Sequence, residues 1–473
     1  MPICYELAEI LRASFMKFYS LVFMLVCILS CTKIQTLSTK IGGDSSLINV
    51  FLSIEKQTQV PAELLMAMSY HETRFKTIEP TGPYFWQIPQ IHGRFGVMGL
   101  SGNQLRQSIL ITMSQTEQNI YHAAILLRSN LDNTARIPTK EQWIDAAVKT
   151  TNYESYEAKK LYRDNLKTYV ENGFYGFDDS GHILFVLPER DEHVFEHQKN
   201  DNVSMIQPDF NKAVFIPASS KNYLLQYKET NPKTVIVIHS TEGSYTSAIH
   251  WFQNPNAETS AHYLVNSNGQ IYQFVKNADI AWHVGVDNFY TIGIEHEGRL
   301  AYPETWFSKN MYRASAQLVR HLAKELKIPI DRHHILGHYE ICSKKDLLCA
   351  DSYQFDQCHF DPGCGWDWEY YFELLQDDEA LSRKGTLSGV LYYYQHPQRV
   401  VANISVEITH VESNTTQVVS SDLHGFWSSE VLEGRYQVRI KNAKTDEFFE
   451  RVKVSENKET TLFIELPSSF QRP

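Results

Sequence analysis

The chain has 473 residues, a formal net charge of −11, 43% hydrophobic residues and 21% charged residues. This length is too great for one hydrophobic core, and about three domains are expected. The composition is that of an ordinary globular protein. The negative charge gives no electrostatic reason to expect a nucleic-acid partner, and it would repel an anionic lipid surface. Any attachment to a membrane is therefore expected to be covalent or inserted.

The N-terminal segment contains a short apolar run that follows a single lysine. The sequence MKFYSLVFMLVCILSC begins at Met16, is apolar from Leu21 to Leu29 and ends at Cys31. This run is too short to span a bilayer but fits the hydrophobic region of a signal peptide. Its end, ILSC, resembles a bacterial lipobox, which implies lipid attachment at Cys31. We expect residues 1–31 to be a lipoprotein signal peptide; an ordinary signal peptide and an uncleaved anchor are the alternatives.

Residues 46–175 have apolar residues at three- and four-residue spacing. The segments LINVFLSIEKQ, PAELLMAMSYHETRF and TEQNIYHAAILLRSNL all show this pattern, which predicts amphipathic helices. Pro61 and Glu63 are typical of the first turn of a helix. We therefore predict an all-α domain over 46–175. Residues 176–204 have irregular short apolar runs and are predicted to be a linker.

Residues 205–377 alternate between strand-like and helix-like segments. KTVIVIHST is a β-branched run, as expected for a strand buried on both faces. SAHYLVNSNGQIYQFV contains two strand-like runs joined at Asn268-Gly269, which predicts a hairpin. MYRASAQLVRHLAKELKIP has the pattern of an amphipathic helix that ends before Pro329. This alternation predicts an α/β domain, and we expect its sheet to be mixed.

Residues 384–467 contain short alternating segments separated by turns, which predicts an all-β sandwich. The turn at Asp422, Gly425 and Phe426 and the segment LEGRYQV resemble carboxypeptidase-regulatory-like β-sandwiches. This region has no cluster of catalytic residue types, so we assign it a packing or adhesion role. The whole chain is thus predicted to be multidomain, with a helical, an α/β and an all-β part.

Four cysteines lie close together near the end of the α/β region. In an exported protein, an even and clustered set of cysteines predicts two disulfides, and the sequence leaves their pairing open. A zinc ion bound by four thiolates is the alternative, but the spacings do not match the close pairs of common zinc sites. The four residues are Cys342, Cys349, Cys358 and Cys364.

A possible metal site is spread over the α/β region. His239 ends the predicted buried strand, His338 follows an apolar segment, and Asp361 lies in the stretch HFDPGCGWDW. Two imidazoles and a carboxylate are a plausible ligand set for Zn²⁺, because a catalytic zinc keeps three protein ligands and an open position. Spacing alone does not identify this set among 19 histidines, since the first two residues are far apart in the chain.

Six segments of the α/β region, taken in order, resemble the zinc-dependent N-acetylmuramoyl-L-alanine amidases of the phage-lysozyme and peptidoglycan-recognition-protein type. The resemblance implies that Zn²⁺ is held by His239, His338 and Asp361. It also implies hydrolysis of the amide bond between N-acetylmuramic acid and L-alanine in peptidoglycan. The loop between His338 and Asp361 is longer than in many members, and we expect a disulfide-stapled insertion there. The six segments are VIVIHST, SAHYLVNSNGQIYQFV, AWHVGVDN, TIGIEHEG, HHILGHYE and HFDPGCGWDW.

The same resemblance assigns catalytic roles to two further residues. Glu295 in IGIEHEG matches the acidic residue opposite the metal, which can take a proton from the attacking water. His359 matches a cationic position that stabilises the oxyanion or protonates the leaving amine. The alternatives are a strand-end surface carboxylate for Glu295 and a rim histidine for His359. Trp282 and His283 either line the substrate groove or pack.

The helical region carries a second resemblance. VPAELLMAMSYHETRF and FGVMGL are similar to segments of lysozyme-like lytic transglycosylases, which implies that Glu72 protonates a glycosidic oxygen. The chain departs from that family after the second segment, where Ser101-Gly102 stands in place of Met-Gln. An active glycan-cleaving domain, a glycan-binding domain and an unrelated helical bundle therefore remain open.

Together these observations predict an exported bacterial lipoprotein of the periplasm, outer membrane or cell surface that acts on peptidoglycan. The leading hypothesis is a zinc amidase with a lipid anchor in the membrane. One alternative is a catalytically inactive peptidoglycan-binding protein, although all three expected metal ligands are present. The other is a lytic transglycosylase or muramidase that acts through the N-terminal domain.

Overall fold

Three regions of secondary structure follow one another in the computed structural model of the chain. Within the residues described, no helix combines the length and the apolar character that crossing a membrane requires. The structure describes residues 40–78, 94–101, 114–131, 138–188, 207–226, 232–341, 360–377, 383–440, 449–467 and 470.

Helices form where the apolar periodicity of the N-terminal region predicts them. Ser114 and Thr139 each precede a helix and form a capping box. The side chain of each accepts a hydrogen bond from the backbone N–H three residues later, and the side chain of that later residue accepts one from the backbone N–H of the capping residue. Phe51, Leu65 and Ile120 lie in the core that these helices share. The helices are Leu47–Thr58 (α1), Ala62–Thr73 (α2), Gln115–Ser129 (α3), Lys140–Thr150 (α4) and Tyr156–Asn172 (α5).

The N-terminal region also contains strands, so it is not purely helical. The run ILFV, which the sequence places in an irregular linker, is a buried strand between two antiparallel neighbours. Its alternate side chains face two cores: Leu184 packs with the helices, and Phe185 packs with the C-terminal region. The strands here are Ile41–Gly43 (β1), Arg94–Phe95 (β2), Leu100–Ser101 (β3), Phe174–Phe177 (β4) and Ile183–Val186 (β5).

A mixed sheet lies at the centre of the molecule, as predicted. The strand order of the sheet is β13-β8-β12-β9-β10-β6. Strands β13, β8, β12 and β9 pair in parallel, β10 pairs antiparallel with β9, and β6 pairs parallel with β10. The hairpin predicted at Asn268-Gly269 is confirmed by the β9–β10 pairing. The strands are Ala213–Phe215 (β6), Val235–Ser240 (β8), Tyr263–Val265 (β9), Ile271–Gln273 (β10), Thr291–His296 (β12) and Ile335–Gly337 (β13).

The two faces of the central sheet have different surroundings. On one face, Ile238 and Ile294 share a core with the long helix α8 and with α10. Because side chains alternate along a strand, His239 and Glu295 point to the opposite face. The remaining elements are Tyr223–Leu224 (β7) paired with Ile280–Ala281 (β11), a 3₁₀ helix Gly285–Tyr290, and helices Tyr245–Gln253 (α6), Pro303–Trp306 (α7), Lys309–Leu326 (α8), His338–Ile341 (α9) and Trp368–Gln376 (α10).

The C-terminal region consists of short strands, and its likeness to carboxypeptidase-regulatory-like domains remains a prediction. Strands β15, β14 and β18 form one sheet with β21 beside β14, while β17-β16-β19-β20 form another, and both contribute to one core. The region contacts the helical part, where Tyr175 donates to Glu459 over 2.6 Å. The strands are Lys384–Tyr393 (β14), His396–Val400 (β15), Ser405–His410 (β16), Thr416–Ser420 (β17), Phe426–Leu432 (β18), Gly434–Ile440 (β19), Phe449–Val454 (β20) and Glu459–Leu466 (β21).

Candidate metal centre

The three metal ligands predicted from the sequence come together at one edge of the central sheet. Strands β8 and β13 are parallel neighbours, so His239 near the end of β8 and His338 directly after β13 lie at the same edge. Asp361 completes the group, with Oδ2 at 2.9 Å from Nδ1 of His239 and Oδ1 at 3.1 Å from Nδ1 of His338. One ligand atom of each residue lies within 4.8 Å of the others, and no second group of this kind occurs in the described residues.

The turn that carries Asp361 is fixed by local contacts. The carbonyl of Asp361 accepts a hydrogen bond of 3.2 Å from the backbone N–H of Tyr339, and the bond between Asp361 and Pro362 is cis. Gly363 follows with a φ of +77°, and a Cβ atom there would lie 2.4 Å from the side chain of Leu300. Only glycine therefore fits this position without displacing its neighbour.

Several predicted residues near this turn lie outside the described part of the chain. They include His359, the predicted oxyanion-stabilising residue, whose role stays a prediction. Cys364 is in a disulfide, but its partner is not among the described residues, so the two predicted disulfides remain a prediction and their pairing stays open. The other residues outside the described ranges are Cys31, Cys342, Cys349 and Cys358.

The carboxylate of Asp361 is held in its ionised form. Burial opposes ionisation, but the charges and hydrogen bonds of His338 and His239 outweigh it and hold the pKa of Asp361 well below its usual range. The backbone N–H of Ser240 also donates to Oδ2 over 3.3 Å. An anionic oxygen and two imidazole nitrogens thus converge on one point.

Glu295 lies beside this group, and its catalytic role remains a prediction. In the parallel pairing of β12 with β8, Glu295 is directly opposite His239. Its Oε2 atom is buried and has no hydrogen-bond partner within the described residues. Burial, together with the negative charges of Asp361 and Glu242, raises the pKa of Glu295 well above its ordinary value. A carboxyl group with a strongly raised pKa is a frequent feature of acid–base sites.

Glu242 is a second carboxyl group near the site, and it is not among the residues predicted from the sequence. Its Oε1 accepts hydrogen bonds from the hydroxyl of Ser240 at 3.2 Å and from the backbone N–H of Leu300 at 2.9 Å. Burial raises the pKa of Glu242 to about 7, although the nearby positive charge of Arg299 acts to lower it. Its backbone has a φ of +50°, which is unusual outside glycine. The sequence offered one indication of this residue, because Glu242 follows the strand-end residue His239 by three positions.

His283 contacts the predicted metal ligand His239. The sequence left open whether His283 lines the substrate groove or only packs. Its Nδ1 lies 2.9 Å from Nε2 of His239, and its Nε2 lies 3.0 Å from the hydroxyl oxygen of Thr291. Burial, followed by the nearby ring of His239, keeps the pKa of His283 well below its ordinary value, so the ring is neutral. No sequence spacing indicated this contact, which crosses from a loop to a strand.

Glu72 is not part of the metal centre. It lies near the end of α2 and is only 2% exposed. The hydroxyl of Ser244, directly before α6, donates to Oε2 of Glu72 over 3.4 Å. The neighbouring His71 places its Nε2 at 2.9 Å from the hydroxyl of Thr246. The segment that resembles lysozyme-like lytic transglycosylases therefore packs against the central region.

The same segment contributes a buried ion pair to this interface. Arg74 places a guanidinium nitrogen 3.6 Å from Glu297, and their side chains are 8% and 1% exposed. Glu297 also accepts hydrogen bonds from the backbone N–H of Tyr245 at 3.2 Å and of Ser267 at 2.9 Å. Residues from the helical region thus stabilise loops that follow the strands of the central sheet.

The fold and the ligand set define an α/β protein with two imidazoles and a carboxylate arranged for a transition metal. The model of the N-acetylmuramoyl-L-alanine amidase family (Amidase_2) matches residues 229–362. N-acetylmuramoyl-L-alanine amidase A of Achromobacter lyticus is 37% identical over 182 residues, which cover 38% of this chain and 84% of that protein. The chain belongs to the N-acetylmuramoyl-L-alanine amidase family.

Two further proteins are similar to parts of this chain. The 1,6-anhydro-N-acetylmuramyl-L-alanine amidase AmpD of Haemophilus influenzae is 36% identical over 126 residues, which cover 25% of this chain and 59% of that protein. The crystal structure of a selenomethionine AmpD derivative is 22% identical, with 37% of this chain and 99% of that chain covered and a TM-score of 0.28. The assignment rests on the relative from Achromobacter lyticus. The resemblances of the two flanking regions remain predictions.

Proposed function

We propose that the protein hydrolyses the amide bond between N-acetylmuramic acid and L-alanine in peptidoglycan, with Zn²⁺ held by His239, His338 and Asp361. The observation that carries this proposal is the convergence of those three ligand atoms within 4.8 Å, inside the segment that matches the amidase family. Relatives named as amidases of this bond support the choice of substrate.

The residues present fit a catalytic zinc site. Zinc prefers nitrogen, sulfur and carboxylate ligands, and three protein ligands leave a fourth position for water or substrate. Here two imidazoles and one ionised carboxylate supply three ligands. When bound, zinc supplies Lewis-acid polarisation of the amide carbonyl and lowers the pKa of a water molecule.

In this proposal Glu295 accepts the proton of the attacking water. Its position opposite His239 places it on the metal side of the sheet, and its buried Oε2 has no competing donor among the described residues. The raised pKa of Glu295 favours proton uptake, and the same proton can then pass to the leaving amine of L-alanine. His359 is proposed to stabilise the oxyanion, as the family resemblance implies.

The surroundings of Glu72 support amide hydrolysis over glycan cleavage. A general acid must come within hydrogen-bond distance of the glycosidic oxygen that it protonates. Glu72 is 2% exposed and is covered by Ser244 at the start of α6. The carboxyl group of Glu72 thus lies at the contact between the helical and central regions. The complete ligand set likewise favours an enzyme over a protein that only binds peptidoglycan.

Export and lipid attachment are part of the proposal. They are supported by the apolar run and the ILSC ending at Cys31. Peptidoglycan lies outside the cytoplasmic membrane, so a lipid-anchored exported enzyme would be placed beside its substrate. Labelling of the full chain with a radioactive fatty acid in a bacterial host should be lost in Cys31→Ala; equal labelling of the variant would contradict lipid attachment at this residue.

Digestion of purified peptidoglycan tests the proposed reaction. The full chain should release stem peptides that begin with a free L-alanine amine, and EDTA should stop this release. Addition of zinc to the EDTA-treated protein should restore it. Mass spectrometry identifies the products. Release that persists after complete metal removal would overturn the zinc mechanism, and products that retain muramic acid on L-alanine would overturn the reaction itself.

A further inference from the structure

A chain of hydrogen bonds runs from the 3₁₀ helix before β12 to Nε2 of His239. The hydroxyl of Thr291 donates to the backbone carbonyl of Asp287 over 2.9 Å. The oxygen of the same hydroxyl lies 3.0 Å from Nε2 of His283. Nδ1 of His283 lies in turn 2.9 Å from Nε2 of His239.

A metal-ligating imidazole must be neutral. When both rings are neutral, only one assignment of protons fits the hydrogen bonds of this chain. A backbone carbonyl can only accept a hydrogen bond, so the hydroxyl of Thr291 donates its single proton to the carbonyl of Asp287. Its oxygen must then accept a hydrogen bond from Nε2–H of His283. A neutral imidazole carries one N–H, so Nδ1 of His283 has no proton and acts as an acceptor. The hydrogen between the two rings therefore belongs to Nε2 of His239.

The consequence reaches the metal ligand. With its proton on Nε2, neutral His239 presents an unprotonated Nδ1 to Oδ2 of Asp361, 2.9 Å away. Two electron-pair donors at this distance need a cation between them, which is a proton in the metal-free protein and the metal ion when it is bound. We infer that Thr291 and His283 are positioning residues that fix the tautomer and the ring orientation of His239, so that Nδ1 is the metal-ligating atom. This inference rests on the proposed zinc site.

The position of His283 is fixed by more than these hydrogen bonds. Its ring lies on the backbone of Gly293, where a Cβ atom would come within 2.6 Å of the ring. The side-chain oxygen of Asn288 accepts hydrogen bonds from the backbone N–H groups of His283 at 2.9 Å and Val284 at 2.7 Å. The acceptor for His239 is therefore held in place before any metal binds. Groups that orient a metal ligand in this way commonly affect metal affinity by ~10- to 100-fold.

Zinc affinity measured on the full chain tests this inference without relying on activity. Thr291→Val removes the hydroxyl with little change in shape, whereas Thr291→Ser keeps it. Competition with a chromophoric chelator should show zinc binding weakened by ~10-fold or more in Thr291→Val and close to the parent in Thr291→Ser. Equal affinity in Thr291→Val and the parent would overturn the role of Thr291.

A second pair of variants keeps the test decisive if Thr291→Val folds poorly. His283→Asn and His283→Leu have side chains of similar size, but only asparagine offers an acceptor to Nε2–H of His239. We expect zinc affinity to fall by ~10- to 100-fold in His283→Leu and by clearly less in His283→Asn. Equal losses would mean that His283 acts by packing. A parent chain that binds no zinc would instead refute the proposed zinc site, which separates the two failures.

Discussion

Two regions of the molecule carry residues that sequence motifs associate with catalysis, and they differ in what those residues face. At the metal centre, the ring nitrogens of His239 and His338 face the carboxylate of Asp361. At the end of α2, Glu72 faces a hydroxyl donor and Arg74 faces a carboxylate. The first arrangement brings together three residues that could hold a metal ion, whereas the second lies at a packed contact between the helical and central regions. A sequence motif therefore identifies residues of a catalytic type. The atoms that these residues contact indicate whether they could bind a metal or pack between regions.

The largest expected effect is the loss of a metal ligand. His338→Ala should abolish both stoichiometric zinc binding and peptide release, because only two of the three ligands would remain. The exposed neighbour His333 provides a matched control, and His333→Ala should retain both. Zinc content by atomic absorption and peptide release by mass spectrometry are the measurements. Full activity in His338→Ala would place the chemistry elsewhere in the chain.

Replacement of the proposed base separates catalysis from metal binding. Glu295→Gln keeps the shape of the side chain but removes its ability to accept a proton. We expect the rate of peptide release to fall by ~10²- to 10⁴-fold while zinc content stays at the parental level. A variant that loses its zinc would show that Glu295 serves the ligand set instead, and an unchanged rate would remove it from the mechanism.

The interface at the end of α2 should respond in stability. Arg74→Met leaves Glu297 buried without its counter-charge, and breaking a buried pair in this way costs ~3–5 kcal/mol of unfolding free energy. The double variant Arg74→Met/Glu297→Gln should recover part of this loss. Urea unfolding of the full chain is the measurement.

An exposed ion pair offers the matched control for this experiment. The side chains of Arg435 and Glu412 are 70% and 45% exposed, so Arg435→Met should change the unfolding free energy by less than about 1 kcal/mol. If Arg74→Met and Arg435→Met had the same small effect, the pair between Arg74 and Glu297 would not stabilise the interface.

An effect that develops only at acidic pH is expected from His296, which lies on the face of β12 opposite Glu295. Burial lowers its pKa from 6.5 to about 3. In the unfolded chain His296 binds a proton below about pH 6.5, whereas in the folded chain it binds this proton only below about pH 3. The neutral ring therefore contributes stability above pH 6.5 that is lost as the pH falls towards 3, by up to about 5 kcal/mol for this group.

The measurement for His296 is the slope of unfolding free energy against pH in metal-free protein. Between pH 6.5 and 4 the slope should be shallower in His296→Gln than in the parent, even if the variant is less stable at pH 7. Identical slopes would mean that the pKa of His296 is the same in the folded and the unfolded protein.

Much of the central region could be predicted from the sequence because its signals are local. The β-branched run before His239 and the turn at Asn268-Gly269 specify a strand and a hairpin within a few residues. The predicted ligands His338 and Asp361 were named from family motifs, and the structure brings them together with His239.

The features that the sequence did not predict depend on distant partners. Glu72 and Ser244 are 172 positions apart, and no local pattern indicates that the one covers the other. The strand Ile183–Val186 pairs with β1 at the other end of the helical region, so its short apolar run was not distinguishable from a loop. The contact between Thr291 and His283 likewise exists only once β12 and the preceding loop are folded.

Digestion of one peptidoglycan preparation by three forms of the full chain tests the central claim most directly. The claim is that the chemistry occurs at His239 and its partners and that Glu72 is a packing residue. Mass spectrometry of the products should show equal release of peptides with a free L-alanine amine by the parent and by Glu72→Gln, and none by His239→Ala. Anhydro-muropeptides that are released by His239→Ala but disappear in Glu72→Gln would contradict the claim.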